Sequence, residues 1–126
     1  MLTLDEAKQV SGLAYTIRDA TSQNMGKIIV TTCTYYDTVT KSGIKPISFL
    51  TRYATSAAEA KNIFEQSKTA TYTDGRSLAG IGEEALWSAT FSQVSAIQGQ
   101  TWLIVTANKN EELATKFAKA IAPKLK

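Results

Sequence analysis

Apolar and polar residues follow two different periods along this chain of 126 residues. Some segments repeat their apolar positions every three or four residues, which is typical of an amphipathic helix. Others alternate every two residues and are rich in Thr, Val, Ile and aromatics, which is typical of a strand. We predict helices at 4–11, 57–67 and 111–122. We predict strands at 13–20, 27–36, 46–53, 84–89, 93–98 and 101–107, with a further short strand at 70–73.

Capping signals support the helix starts. Thr3-Leu4-Asp5-Glu6 and Ser56-Ala57-Ala58-Glu59 both have the capping-box pattern, and Asn108-Lys109-Asn110-Glu111 is a looser version with Asn as the cap. In each, a short side-chain oxygen can accept a backbone N–H that has no partner inside the helix. Gly12 and Pro123 are suited to the ends of the first and third helices.

Turn signals separate the predicted strands. Gln98-Gly99-Gln100 is suited to a hairpin between the last two, and Lys41-Ser42-Gly43 predicts a turn earlier in the chain. Strands that come in runs of three with short turns favour antiparallel pairing. Since the third helix has a single apolar stripe, it is expected to pack on something flat.

Helix cap and strand recur at one spacing, which predicts an internal duplication. A shift of about 53 residues brings Glu6 onto Glu59, and it lays Ser48–Thr55 over Thr101–Asn108. We therefore predict a single α+β domain over 1–126, with pseudo-repeat units at about 3–55 and 56–108 and a C-terminal helix at 109–125. The architecture would be two βββα pseudo-repeats preceded by an N-terminal helix, forming an antiparallel sheet with the helices packed on one face.

Composition narrows the chemistry. The chain has no His and one cysteine, Cys33, within a predicted strand. A lone strand cysteine is typically a small buried hydrophobe, and a catalytic thiol would need a base. Without a Cys/His ligand pattern we predict no metal and no cofactor.

The net charge of +3 is spread along the chain, so we expect no nucleic-acid partner. No apolar run is long enough for a transmembrane span.

One glycine motif formally matches a dinucleotide fingerprint. Gly80-Ile81-Gly82-Glu83-Glu84-Ala85 has the right spacing, but a strand rather than a helix follows it, and two carboxylates would repel phosphate. The glycines are better explained as a tight entry into that strand. A hydrolase-like enzyme that uses Lys or carboxylate residues on loop 74–84 is kept as the alternative. The charged residues of that loop are Asp74, Arg76, Glu83 and Glu84.

Aromatic residues on the strands form the candidate binding surface. Adjacent strand residues point to opposite faces, so some of these side chains must point away from the helices. Such an aromatic row beside a cation could bind a protein, peptide or glycan partner, and cross-strand packing is the alternative. The speculative partner-binding residues are Tyr35, Arg52, Tyr53, Trp87 and Trp102.

The order of motifs resembles small extracytoplasmic domains of bacterial lipoproteins and secreted proteins of unknown function. The segments that carry the resemblance are Leu2–Ala7, Cys33–Tyr35, Ala57–Phe64, Gly80–Ala85 and Gln100–Val105. It implies a binding or sensory module in the periplasm or cell envelope, while a cytoplasmic location stays open. Our leading hypothesis is a non-enzymatic binding or interaction domain, and the alternative is a homo-oligomeric structural module, such as a homodimer.

Overall fold

The structure is a computed structural model that describes residues 2–13, 15–26, 28–36 and 46–125. A 3-10 turn at Ala122–Lys124 follows the last helix. The helices are α1 (Leu4–Ser11), α2 (Ala57–Ala70) and α3 (Glu111–Ile121). The strands are β1 (Ile17–Met25), β2 (Ile28–Tyr36), β3 (Ile47–Tyr53), β4 (Arg76–Leu78), β5 (Glu84–Ser88), β6 (Gln93–Gln98) and β7 (Thr101–Ala107).

The described strands form one antiparallel sheet in the order β1-β2-β3-β7-β6-β5-β4. The central strand, β7, comes from the last third of the chain and pairs with β3 from the first half, so this pairing joins the two halves of the chain. The α+β class and the antiparallel sheet are therefore confirmed. The predicted turn at 41–43 lies outside the described residues.

One face of the sheet, here called the covered face, holds the larger core. Alternate residues of β2, β3 and β7 point to it, and α1 and α3 pack over it. Tyr35 lies at its centre, with ring centroids 6.0 Å from Phe49 and 5.8 Å from Phe117 of α3. Burial of such large side chains supplies much of the stability of a domain of this size.

The opposite face is covered over only part of its width. Phe64 and Ala60 of α2 pack against Leu86, Ile97 and Trp102, which lie on β5, β6 and β7. In β7, Trp102 alternates with Leu103, which belongs to the larger core, so the two clusters lie on opposite faces. The prediction that the helices pack on one face is therefore wrong: α2 crosses to the face that α1 and α3 leave free.

The internal duplication at a shift of 53 does not hold for the strands. It equates Phe49 with Trp102, yet Phe49 points to the covered face and Trp102 to the other. It also equates Cys33 with Leu86, which belong to different core clusters. A shift by one residue inverts every side chain of a strand, so these positions are not structural equivalents.

Local signals located most element boundaries. Thr3 and Glu6 form the predicted reciprocal capping box, Ser56 Oγ accepts from Glu59 N, and Asn110 Oδ1 accepts from Leu113 N. The differences lie where pairing is non-local. The first strand spans Ile17–Met25 rather than 13–20, and the short strand lies at Arg76–Leu78 rather than at 70–73.

Candidate functional site

The five predicted partner-binding residues do not form one surface. Tyr35 and Trp87 point to the covered face and are buried there. The Tyr35 hydroxyl donates to the Leu2 carbonyl oxygen over 2.6 Å, and Arg18 Nε donates to the same oxygen over 2.8 Å. Burial raises the pKa of the Tyr35 hydroxyl. The assignment of Tyr35 and Trp87 to an exposed binding row is therefore wrong, because both belong to the core.

Arg52 and Trp102, by contrast, are brought together. They lie directly opposite each other on β3 and β7, on the face away from α1 and α3. The Trp102 indole N–H donates to Ser95 Oγ over 2.8 Å, while its ring packs beside the α2 cluster. Trp102 therefore marks the line where α2 stops covering the sheet, and Arg52 lies just beyond that line.

We use the name open face for the part of this face, on β2, β3 and β7, that α2 leaves uncovered. It consists of two cross-strand rows, Val30–Arg52–Trp102 and Thr32–Leu50–Ile104. All six side chains are partly exposed. Trp102 packs against the α2 cluster, whereas Val30, Leu50 and Ile104 do not belong to it, so α2 covers only one end of these rows. The open face is therefore a surface of aliphatic, threonine and aromatic side chains around one arginine.

Arg52, at the centre of the open face, has an unsatisfied hydrogen-bond donor. Arg52 makes no hydrogen bond or ion pair to any other described residue, and its Nε is sealed from solvent. Among the described side chains, that nitrogen is the one buried polar atom that lacks a partner. A buried donor without an acceptor costs about 1–3 kcal/mol, so such a group needs an explanation. A carboxylate placed on the open face would bind the same guanidinium group with charge-assisted hydrogen bonds.

The sequence-based prediction missed Leu50 and Ile104, which form most of the apolar surface here. Their signal was strand alternation: each stands one residue from a core position, Phe49 or Leu103, and so had to point to the other face. What the alternation could not show was that α2 would leave this part of the face uncovered.

Tyr53 lies elsewhere, on the covered face at one end of the sheet. Its hydroxyl donates to Gln100 Oε1 over 3.2 Å. It helps to line a cavity of about 260 Å³, which we call the end cavity. The strands contribute Ile29, Thr31, Thr51, Tyr53 and Thr101 to this cavity. The C-terminal segment contributes Lys124 and Leu125.

Loop 74–84, proposed above as a catalytic alternative, uses its carboxylates as structural acceptors. Asp74 accepts from the Thr90 backbone N–H over 2.9 Å and from the Ser88 hydroxyl over 2.7 Å. These hydrogen bonds lower the pKa of Asp74 to about 2. Glu83 accepts from Gly99 N over 2.6 Å, and Glu84 pairs with Lys68. An acid catalyst at neutral pH needs a raised pKa, and the shift at Asp74 is in the opposite direction.

The glycine motif has a steric role. Gly82 has a φ of +56°, and a Cβ atom there would lie 2.5 Å from the Ile97 carbonyl oxygen. The backbone of this loop thus runs against β6, with Glu83 N donating to the same oxygen over 2.9 Å. The motif enters β5 rather than a helix, as predicted, so the helix N-terminus that a dinucleotide pyrophosphate requires is missing from this position.

Three further findings concern Cys33, metal ions and membrane-spanning helices. Cys33 is buried, with its Sγ 3.5 Å from the Tyr35 hydroxyl, which confirms its prediction as a core residue. Across the described ranges, acidic and cysteine side chains do not group into a set that could hold a metal ion. Nor is any described helix long and apolar enough to cross a membrane.

Comparisons with known proteins add no identity to this geometry. No protein-family model matches the chain, and no significant match was found among curated proteins or solved structures.

Proposed function

We propose that this chain is a non-enzymatic interaction domain that binds a protein segment on its open face. The observation that carries the proposal is Arg52, which is partly exposed on a partly apolar surface and has no acceptor among the described residues. The occupant is a segment that presents one carboxylate among aliphatic side chains. The carboxylate pairs with Arg52, and the aliphatic groups cover Leu50 and Ile104.

Two features favour this chemistry over a polar or a purely apolar partner. A surface that combines Trp, Arg and aliphatic side chains has the composition of binding hot spots, where Trp and Arg are enriched. An arginine fork also recognises a carboxylate in a fixed, two-pronged geometry, which sets the register of the bound segment. The chain's net charge of +3 adds a weak attraction for acidic partners.

Selection from a phage-displayed library of random linear peptides tests the proposal. Enriched peptides are expected to carry Asp or Glu beside aliphatic residues, and amide chemical shifts on their binding should map to β2, β3 and β7. Arg52→Gln should weaken binding of the selected peptides at least about tenfold, because truncating one partner of a buried, hydrogen-bonded charge pair costs about 2–5 kcal/mol. Arg76→Gln is the matched control, since Arg76 pairs with Glu111 at the far edge of the sheet.

The outcomes are distinct. Failure to enrich any peptide, or peptides that bind Arg52→Gln and the unmodified chain equally, would contradict the proposal. Sedimentation of the chain alone distinguishes a heterologous segment from a second copy of the chain. A dimer that forms with rising concentration and is dispersed by Arg52→Gln would replace the heterologous segment with a second copy of the chain, which is the homo-oligomeric alternative.

The extracytoplasmic location forms part of the proposal and rests on the resemblance alone. Fractionation of cells that express the native gene tests it. Recovery with the cell envelope or periplasm is expected, and recovery with the cytosol would contradict it.

A further inference from the structure

The end cavity lies on the opposite face from Arg52 and is independent of the open face. Its walls are apolar where Ile29, Tyr53 and Leu125 meet, and Ile29 is 39% exposed at its mouth. The cavity is open to solvent, and its volume of about 260 Å³ leaves room for a small organic molecule. It can therefore hold a small organic molecule without rearrangement of the sheet.

Two hydroxyl groups in the cavity lack partners. Thr51 and Thr101 are each only 4% exposed, and both line the cavity. Neither side chain makes a hydrogen bond to another described residue, and neither hydroxyl is sealed from solvent. Both hydroxyls are therefore available to hydrogen-bond a polar group of a ligand that enters the cavity.

A cation completes the lining. Lys124 borders the cavity, and its Nζ donates to Glu6 Oε2 over 2.7 Å. An ammonium group has three donors, so Lys124 can hold Glu6 and a second oxygen at the same time. Because Glu6 already pairs with this cation, Lys124 offers a ligand a further hydrogen-bond donor next to the apolar wall.

We propose that the end cavity binds a small amphipathic monocarboxylate, such as a short-chain fatty acid. The carboxylate accepts from the hydroxyls of Thr51 and Thr101 and from the Lys124 ammonium group. The hydrocarbon tail lies against Ile29, Tyr53 and Leu125. This ligand satisfies the two free hydroxyls and uses the apolar wall together, which neither a purely apolar molecule nor inorganic phosphate does.

Titration with sodium hexanoate, followed by amide and methyl chemical shifts, tests the proposal on the full chain. Saturable shifts are expected at Ile29, Tyr53, Thr101 and Leu125. The same titration with 1-hexanol should give weaker binding, because the alcohol supplies the tail without the charge.

Two variants test the head-group contacts. Lys124→Gln keeps a donor but removes the charge, and it should weaken hexanoate about tenfold while leaving hexanol unchanged. Thr51→Val removes one hydroxyl at constant shape and should weaken hexanoate about threefold to tenfold. Lys116→Gln is the control, because Lys116 pairs with Glu112 on the outer side of α3.

Glu6→Gln tests whether Lys124 contacts the ligand, because a purely structural role of Lys124 would leave hexanoate affinity unchanged. It removes the carboxylate that competes for Lys124, while Gln retains the capping pattern of α1, so hexanoate should bind more tightly. Absence of saturable binding, equal affinity for hexanol, or hexanoate affinity unchanged by Lys124→Gln would overturn the proposal. Lys124 is exposed enough that its variant will fold even where Thr51→Val does not. Arg52→Gln should leave hexanoate binding unaltered, which separates this site from the open face.

Discussion

The two halves of the sheet are built from similar strands but are covered differently. In the half formed by β5 and β6, α2 packs on one face and α3 on the other. In the half formed by β1, β2 and β3, the described helices cover one face only. The same face of the same sheet is thus core beside Leu86 and Ile97 and surface beside Leu50 and Ile104.

Residue choice follows this difference. The doubly covered strands place small side chains, Ser88, Ser95 and Ala96, among the larger buried ones such as Leu86 and Ile97. Small side chains allow helices to approach both faces of a strand closely. The singly covered strands place threonine and β-branched residues on the open face, where they suit a half-solvated pleated surface. The alternation within a strand therefore shows which residues share a face. Whether that face is exposed depends on where α2 packs.

The largest expected effect is a difference in lost stability between one variant in each half of the sheet. Phe64→Ala in α2 removes a fully buried ring and should cost about 3–5 kcal/mol. Leu50→Ala on the open face should cost only about 1 kcal/mol, since its side chain is already partly hydrated. Urea unfolding followed by circular dichroism measures both. Equal losses for the two variants would mean that the open face is covered as firmly as the α2 cluster.

Sequence reasoning succeeded for this fold where the determinants are local. The Thr3–Glu6 capping box, the Ser56 cap and the Gln98–Gln100 turn each depend on a few neighbouring residues, and each is present in the structure. The Cys33 prediction succeeded for a similar reason, because a lone apolar strand residue has few other uses.

Sequence reasoning failed where burial depends on a segment that is distant in the chain. Tyr35 and Tyr36 had to point to opposite faces, but which of them is buried depends on where α3 packs, 80 residues later in the chain. The side on which α2 packs depends on β5 and β6, which it precedes. The candidate site was consequently predicted in part: Arg52 and Trp102 do share a surface, whereas Tyr35, Tyr53 and Trp87 lie on the covered face.

A smaller effect is expected at the anchor of the N-terminal segment. Tyr35→Phe removes the hydrogen bond to the Leu2 carbonyl but keeps the ring in place, so it should cost about 1 kcal/mol. Hydrogen exchange should then accelerate in α1 more than in α2, because α1 follows directly from the anchored residue. Uniform acceleration across all helices would show that the anchor is not local.

Acid should weaken both halves through one carboxylate in each. Glu6 and Asp74 both have a pKa lowered to about 2, from ordinary values of 4.5 and 3.8; the main causes are the Lys124 hydrogen bond and the Thr90 backbone N–H. Because the folded-state pKa is depressed, the stabilisation is complete above the unfolded-state pKa and is lost as pH falls through about 2. Asp74→Asn should flatten the pH dependence of the urea midpoint between about pH 4 and pH 2. An unchanged slope would contradict the assignment.

The smallest expected loss of stability is at Arg52. Arg52→Met removes no hydrogen bond or ion pair to a described residue and takes away an unsatisfied buried donor, so the free energy of unfolding should not fall. The same variant should lose binding of the selected acidic peptides. A large destabilisation would show that the guanidinium serves the fold rather than a partner.

Solvent paramagnetic relaxation tests the central claim most directly, because it compares methyl groups on one face of one sheet. With a neutral gadolinium chelate in solution, the methyl groups of Leu50 and Ile104 should relax much faster than those of Leu86 and Ile97, which are 5% and 3% exposed. That result would show that α2 covers one half of the face and leaves the other open. Equally slow relaxation at all four residues would contradict the open face, and with it the proposed site around Arg52.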